Sequence, residues 1–212
     1  MPWCTIFGEH DNQNSRQTGR QMLTQRYLDG VALALDLHRN QVRKGTTVPY
    51  AAHLLSVSAL ALEHGADEDE AISALLHDAA EDQGGAPTID AIRARFGDRV
   101  ADIVEGCSDS LTGDKLPWRA RKEAYLAHLA TASASIALVS GCDKLHNARS
   151  ILADLYRIGA TLWERFTASR DEILWYYASL CNSLETSNSP VVPELRRAVA
   201  AIHQYVTGPS LS

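Results

Sequence analysis

His77 and Asp78 stand side by side in the segment DEDEAISALLHDAAED, and Glu81 and Asp82 follow one turn later. Spacings of three and four residues put Glu81 on the helix face of His77 and Asp78. Imidazole and carboxylate groups set among Ala74, Leu75, Leu76, Ala79 and Ala80 are costly to bury alone, and a cation is a natural partner. His53, flanked by Ala52 and Leu54, and Asp143, inside the apolar stretch SIALVSGCDKLHNA, extend the pattern to H…HD…D. Two imidazoles and two carboxylates from three helices can surround one divalent ion and leave positions open for water or substrate. Plainer readings exist for each: a chance His-Asp dipeptide, a helix-surface His53, and an Asp143 paired with a neighbouring Lys or Arg.

Helices must position these groups. Tyr50 to Ala86 and Trp118 to Ser189 hold no proline except at their borders, and both stretches read as helical. PYAAHLLSVSALALEHG has Pro49 in its first turn, apolar Leu54, Val57, Leu60 and Ala61, and a stop at Gly65. DEDEAISALLHDAAED opens on acids and ends before Gly84 and Gly85, which predicts one continuous helix. Further helices are predicted near Thr24 to Asn40, Thr88 to Phe96, Asp98 to Cys107, Pro117 to Thr131, Ser133 to Arg157, Thr161 to Phe166, Arg170 to Thr186 and Val191 to Val206. The fold expected is all-α, a compact single-domain bundle of about ten helices. Residues 1–22 read as a flexible extension, 23–207 as the domain and 208–212 as a tail.

Composition excludes several classes. The 212 residues are 45% hydrophobic and 22% charged, which is ordinary for a globular domain. Apolar runs fall far below the ~18 to 20 residues of a membrane-spanning helix, and no signal peptide is expected. A net charge of −6 with no basic block argues against a nucleic-acid or membrane-surface partner, while an anionic small substrate would need a local basic pocket. Cys4, Cys107, Cys142 and Cys181 form no CxxC pair, so a reducing, cytoplasmic setting is expected. Oligomeric state has no signal in the sequence.

Four motifs in order, HRNQVRKGTTVPYAAH, LLHDAAED, FGDRVADIVEGCS and CDKLHNARS, resemble the hydrolase half of RelA/SpoT-type alarmone enzymes, and more closely the stand-alone small alarmone hydrolases of the HD superfamily. The similarity runs from about Tyr27 to Leu155. It implies an HD-type helical fold with one Mn²⁺ per chain on His53, His77, Asp78 and Asp143. It also implies hydrolysis of the 3′-pyrophosphate of ppGpp or pppGpp to GDP or GTP and pyrophosphate. No synthetase or regulatory domain follows, so degradation alone is expected.

The same resemblance gives Glu81 and Asp82 to the nucleophilic water, in keeping with the reach of carboxylates one turn from the ligands. It gives Arg43 and Lys44 to the purine, Asn147 to water or sugar-phosphate, and Ser150 to the base pocket. Arg170 is expected to meet distal 5′-phosphates. His38 and His146 are read as supporting or packing residues, His64 as a helix cap, and Arg119, Arg121 and Lys122 as a solvated face. Two departures from the family pattern, Gln83 after Glu-Asp and Gly106-Cys107-Ser108, leave base preference open. Alternatives are another HD phosphohydrolase, acting on pApp-type alarmones, on the 2′-phosphate of NADPH or on a nucleotide, and a non-catalytic alarmone sensor.

Overall fold

Polar caps and glycine stops divide this chain into helices much as its pattern requires. The structure, a computed structural model, describes residues 23–109 and 117–208. The expected extension 1–22 with Cys4, the middle of the DSLTGDKLP loop and residues 209–212 lie outside the described residues. Within them run α1 (Gln25–Leu37), α2 (Ala51–Glu63), α3 (Glu68–Leu76), α4 (Ala79–Asp82), α5 (Ala86–Phe96) and α6 (Asp98–Cys107). After the loop come α7 (Trp118–Ala130), α8 (Ala134–Ile158), a 3-10 helix (Gly159–Arg165), α9 (Arg170–Thr186) and α10 (Val192–Thr207). The described residues contain no strand, only an isolated bridge between Val42 and Pro49. No helix among them is long and apolar enough to cross a membrane.

Local chemistry fixes the ends. Asp67 and Glu70 form a reciprocal capping box on α3, as Ser169 and Glu172 do on α9. Ser133 caps α8, and Gly159, at φ 62°, ends it in the left-handed region where glycine carries no Cβ penalty. His64 closes α2 as its C-cap, as its position implies.

Two expectations need correction. DEDEAISALLHDAAED is not one helix: α3 ends at Leu76, a turn carries His77 and Asp78, and the single-turn α4 follows. Asp78 sits at φ −94°, ψ −3°, in the bridge region between helix and strand geometry. Neighbouring residues of a continuous helix diverge by about 100°, so the turn lets both side chains face one point. The segment around Thr161 to Phe166 is the tighter 3-10 form, pinned between the Gly159 stop and the Ser169 cap.

Two hydrophobic clusters make up the interior. One joins α1, Leu54 of α2, α3, α5 and one side of α6; the other joins Val57, Leu60 and Ala61 of α2 to α7, α8, α9 and α10. Helix α3 is buried continuously from Ala71 to Leu76, with Ala74 in one cluster and Leu75 and Leu76 in the other. His53 on α2 and His77 at the end of α3 therefore sit on elements that join the two clusters, while Asp143 lies on α8 of the second.

Asp67→Ala removes a cap from the helix that delivers His77. It should cost about 1 kcal/mol of unfolding free energy, read from urea denaturation, with metal content unchanged.

Candidate metal centre and adjoining cavity

Helix α2 brings His53, the α3–α4 turn brings His77 and Asp78, and α8 brings Asp143. His53 is 1% exposed, His77 3% and Asp143 5%. One donor atom from each of these three lies within 4.8 Å of the others. His53 Nε2 is 3.2 Å from Asp143 Oδ1 and 3.6 Å from Asp78 Oδ2, while His77 Nε2 is 3.0 Å from Asp78 Oδ2 and 3.7 Å from Asp143 Oδ1. All four expected ligands therefore converge.

Outer contacts aim these groups. His77 Nδ1 donates to the Ala74 carbonyl at 2.9 Å, which turns Nε2 inward toward Asp78 and Asp143. That Nε2 is buried and makes no aligned hydrogen bond. His53 Nδ1 meets His146 Nδ1 at 2.8 Å, so His146 supports a ligand, as its motif position suggests. Tyr50 donates to Asp78 Oδ2 at 2.5 Å and stacks on His38, whose role is to pack behind it. Lys144 Nζ and Asn147 Nδ2 each reach Asp143 at 2.5 Å.

The charge balance points the same way. Burial alone would neutralise all of these groups, yet Asp78 and Asp143 outweigh it and hold the His77 imidazole well above its usual range. His77, His53 and Lys144 in turn hold the two carboxylates well below theirs. An orphaned imidazole nitrogen facing ionised carboxylates fits a divalent cation, which would supply charge neutralisation and an acidified water. Thiolates play no part, since burial pushes Cys107 up to about 11 and Cys142 up to about 12.

Beside this centre opens a cavity of about 360 Å³. Arg43, Lys44, Lys122, Lys144 and Arg165 line it with cations, and Trp118, Phe166, Tyr176, Tyr177, Leu162 and Ile173 supply apolar wall. Arg43 Nη2 donates to Asn147 Oδ1 at 2.6 Å, so the chain Arg43, Asn147, Asp143 ties the loop cation to the metal centre. Gly45, at φ 71°, leaves room for Arg165, whose Cδ would lie 2.7 Å from any Cβ there. Ser150 lines the cavity, with its hydroxyl donating to the His146 carbonyl.

Glu81 and Asp82 part company. Glu81 is pushed up to about 7 by burial and by the Asp109 and Asp78 carboxylates, with Lys144 and Lys122 opposing. Asp82 is exposed and accepts from Gln41 Nε2 at 2.8 Å. Arg170 is not brought to the cavity. It is exposed, its Nε bonds Asp171, and it lines a separate hollow with Tyr156, Trp163 and Tyr205, because Leu162, Arg165 and Phe166 stand on the cavity side.

Arg121 and Lys122 are not a solvated face. Both reach Asp109 Oδ2 at 2.6 Å, and the Asp109 side chain is only 6% exposed. Arg119 alone is on the outside, its guanidinium over Trp175. Lys122, Lys144, Asp109 and Tyr50 are site residues that the sequence reading missed. Tyr50 and Lys144 lie inside the quoted motifs and Asp109 directly follows one, whereas Lys122 carries no such signal.

Residues 30–174 match the HD domain model. A Xenopus tropicalis guanosine-3′,5′-bis(diphosphate) 3′-pyrophosphohydrolase, MESH1, is 35% identical over 127 residues, 58% of this chain and 68% of that protein. The Danio rerio MESH1 is 30% identical over 174 residues, 80% and 90%. The structure of a metazoan ortholog of SpoT that hydrolyses ppGpp superposes with a TM-score of 0.69 at 24% identity, covering 84% of this chain and 96% of that one. The chain spans only 18% of the long bacterial relatives it matches.

Metal analysis should find about one divalent ion per chain in the wild type. Loss of the Nε2 donor in His77→Ala should empty the site, whereas Glu81→Gln should keep its ion.

Proposed function

The chain belongs to the HD-domain family, with the guanosine-3′,5′-bis(diphosphate) 3′-pyrophosphohydrolases among its members, and from that premise we propose that it hydrolyses ppGpp or pppGpp to GDP or GTP and pyrophosphate. One observation carries the reading: a cluster of two imidazoles and two carboxylates is joined through Tyr50, Lys144 and Asn147 to a cavity walled by five cations in a chain of net charge −6. Such a cavity suits a highly phosphorylated small molecule.

The chain's own groups divide the work. Lys144, Lys122 and Arg43 hold phosphate oxygens beside Asp143, and Asn147 keeps Arg43 in register with that end. Glu81 takes a proton from the attacking water, as a group titrating near neutrality can. Water attacks the phosphorus bonded to the 3′ oxygen, that bond breaks, pyrophosphate departs and the 3′ oxygen regains a proton. Asp82, bonded to Gln41, holds the outer end of α4. Mn²⁺ is the metal we assign to His53, His77, Asp78 and Asp143, given a donor set of nitrogen and oxygen without sulfur. The setting we assign is cytoplasmic, and the domain spans residues 23–207.

Product chromatography should show GDP and pyrophosphate together from ppGpp; stepwise inorganic phosphate would make the protein a general phosphatase instead. Glu81→Gln should lower kcat by about 10² to 10⁴. In the wild type, kcat should rise with pH through about 7, because only the deprotonated Glu81 accepts a proton. The variant should lose that limb.

Arg43→Ala should act mainly on KM, as removal of a binding group does. A fall confined to kcat would move Arg43 from binding to chemistry.

A further inference from the structure

The cavity has two chemically different ends. Near Asp143 it is cationic, with Lys144, Lys122 and Arg43. Eleven residues further along α8, about 16 Å at the helical rise, lies Asp154, the one carboxylate that lines the cavity among the described residues. Ile151, beside Asp154 on α8, and Leu162 and Phe166 also line the cavity and supply apolar surface for a base. A nucleotide whose 3′ phosphates occupy the cationic end directs its base toward the other.

Asp154 is held ready there. Its Oδ1 accepts from Arg157 at 2.5 Å and its Oδ2 from Arg165 at 2.7 Å, so the carboxylate is oriented while each oxygen keeps a free lone pair. We propose that Asp154 reads the base and makes guanine nucleotides the preferred substrates over adenine nucleotides. This rests on the phosphohydrolase reading above. Guanine presents two adjacent donors, N1–H and the 2-amino group, on the edge that meets a carboxylate. Adenine presents a lone pair at N1 and has no 2-amino group, so its edge sets an acceptor against a negative charge. A site built to accept hydrogen bonds rejects the analogue that cannot donate them.

The test compares ppGpp with its adenine counterpart in the wild type, Asp154→Asn, Asp154→Ser and Arg165→Ala. Wild-type kcat/KM should favour guanine by about 10- to 100-fold, the worth of a charge-assisted hydrogen bond. Asp154→Asn and Asp154→Ser should erase most of that preference through KM for the guanine substrate, with kcat nearly unchanged. Arg165→Ala, which removes one of the two groups that orient Asp154, should lower the preference by less than the Asp154 variants do. Equal use of both nucleotides by the wild type would overturn the inference alone. So would equal damage to both substrates in the two Asp154 variants, since Asp154 would then serve only to hold Arg165. Failure of the wild type to hydrolyse either nucleotide would instead overturn the phosphohydrolase reading, and the inference with it.

Discussion

Two imidazoles and the Asp143 carboxylate packed out of water, with the Asp78 carboxylate at their edge, set the terms for the rest of this molecule. An ionised group in such a place needs an opposite charge and a full set of hydrogen bonds. Asp143 obtains part of this from Lys144 and Asn147, and Asp78 from Tyr50. His77 is locked by the Ala74 carbonyl and His53 by His146, so both rings present a nitrogen to the same point. The break between α3 and α4 belongs to this constraint, because a straight helix cannot aim consecutive side chains at one position.

Net charge is a poor guide to such a site. Acidic groups away from the cavity pair with exposed arginines, as Glu68 and Asp69 do with Arg26 and Asp67 with Arg99. Inside the cavity the sign reverses. Asp109 holds Lys122 at its wall, and burial together with Lys144 draws the Lys122 ammonium below its usual range. Two cations kept that close are spared repulsion when a polyanion lies between them.

The all-helical fold and the polar groups at His53, His77, Asp78 and Asp143 were legible in the sequence because each rests on local signals: caps, glycine stops, and polar residues interrupting apolar helix faces. The α3–α4 break was not legible, since no proline or glycine marks it and its cause is a tertiary demand on His77 and Asp78. Arg121 and Lys122 looked solvated because their partner, Asp109, lies just after α6, 12 and 13 residues earlier in the chain. Arg170 starts α9 as expected, but the turns formed by the 3-10 helix before it give the cavity position to Arg165. The Gly106 departure has a packing reason, as a Cβ there would fall 2.4 Å from Ile136 Cδ1.

The central claim is that one divalent cation binds between His53, His77, Asp78 and Asp143. Diffraction from crystals grown with Mn²⁺, collected at the manganese absorption edge, tests it most directly. The account predicts a single anomalous peak within bonding distance of His53 Nε2, His77 Nε2 and the Asp78 and Asp143 carboxylates. A peak elsewhere, such as between Glu81 and Asp109, or none at this cluster in protein that turns over ppGpp, would contradict it.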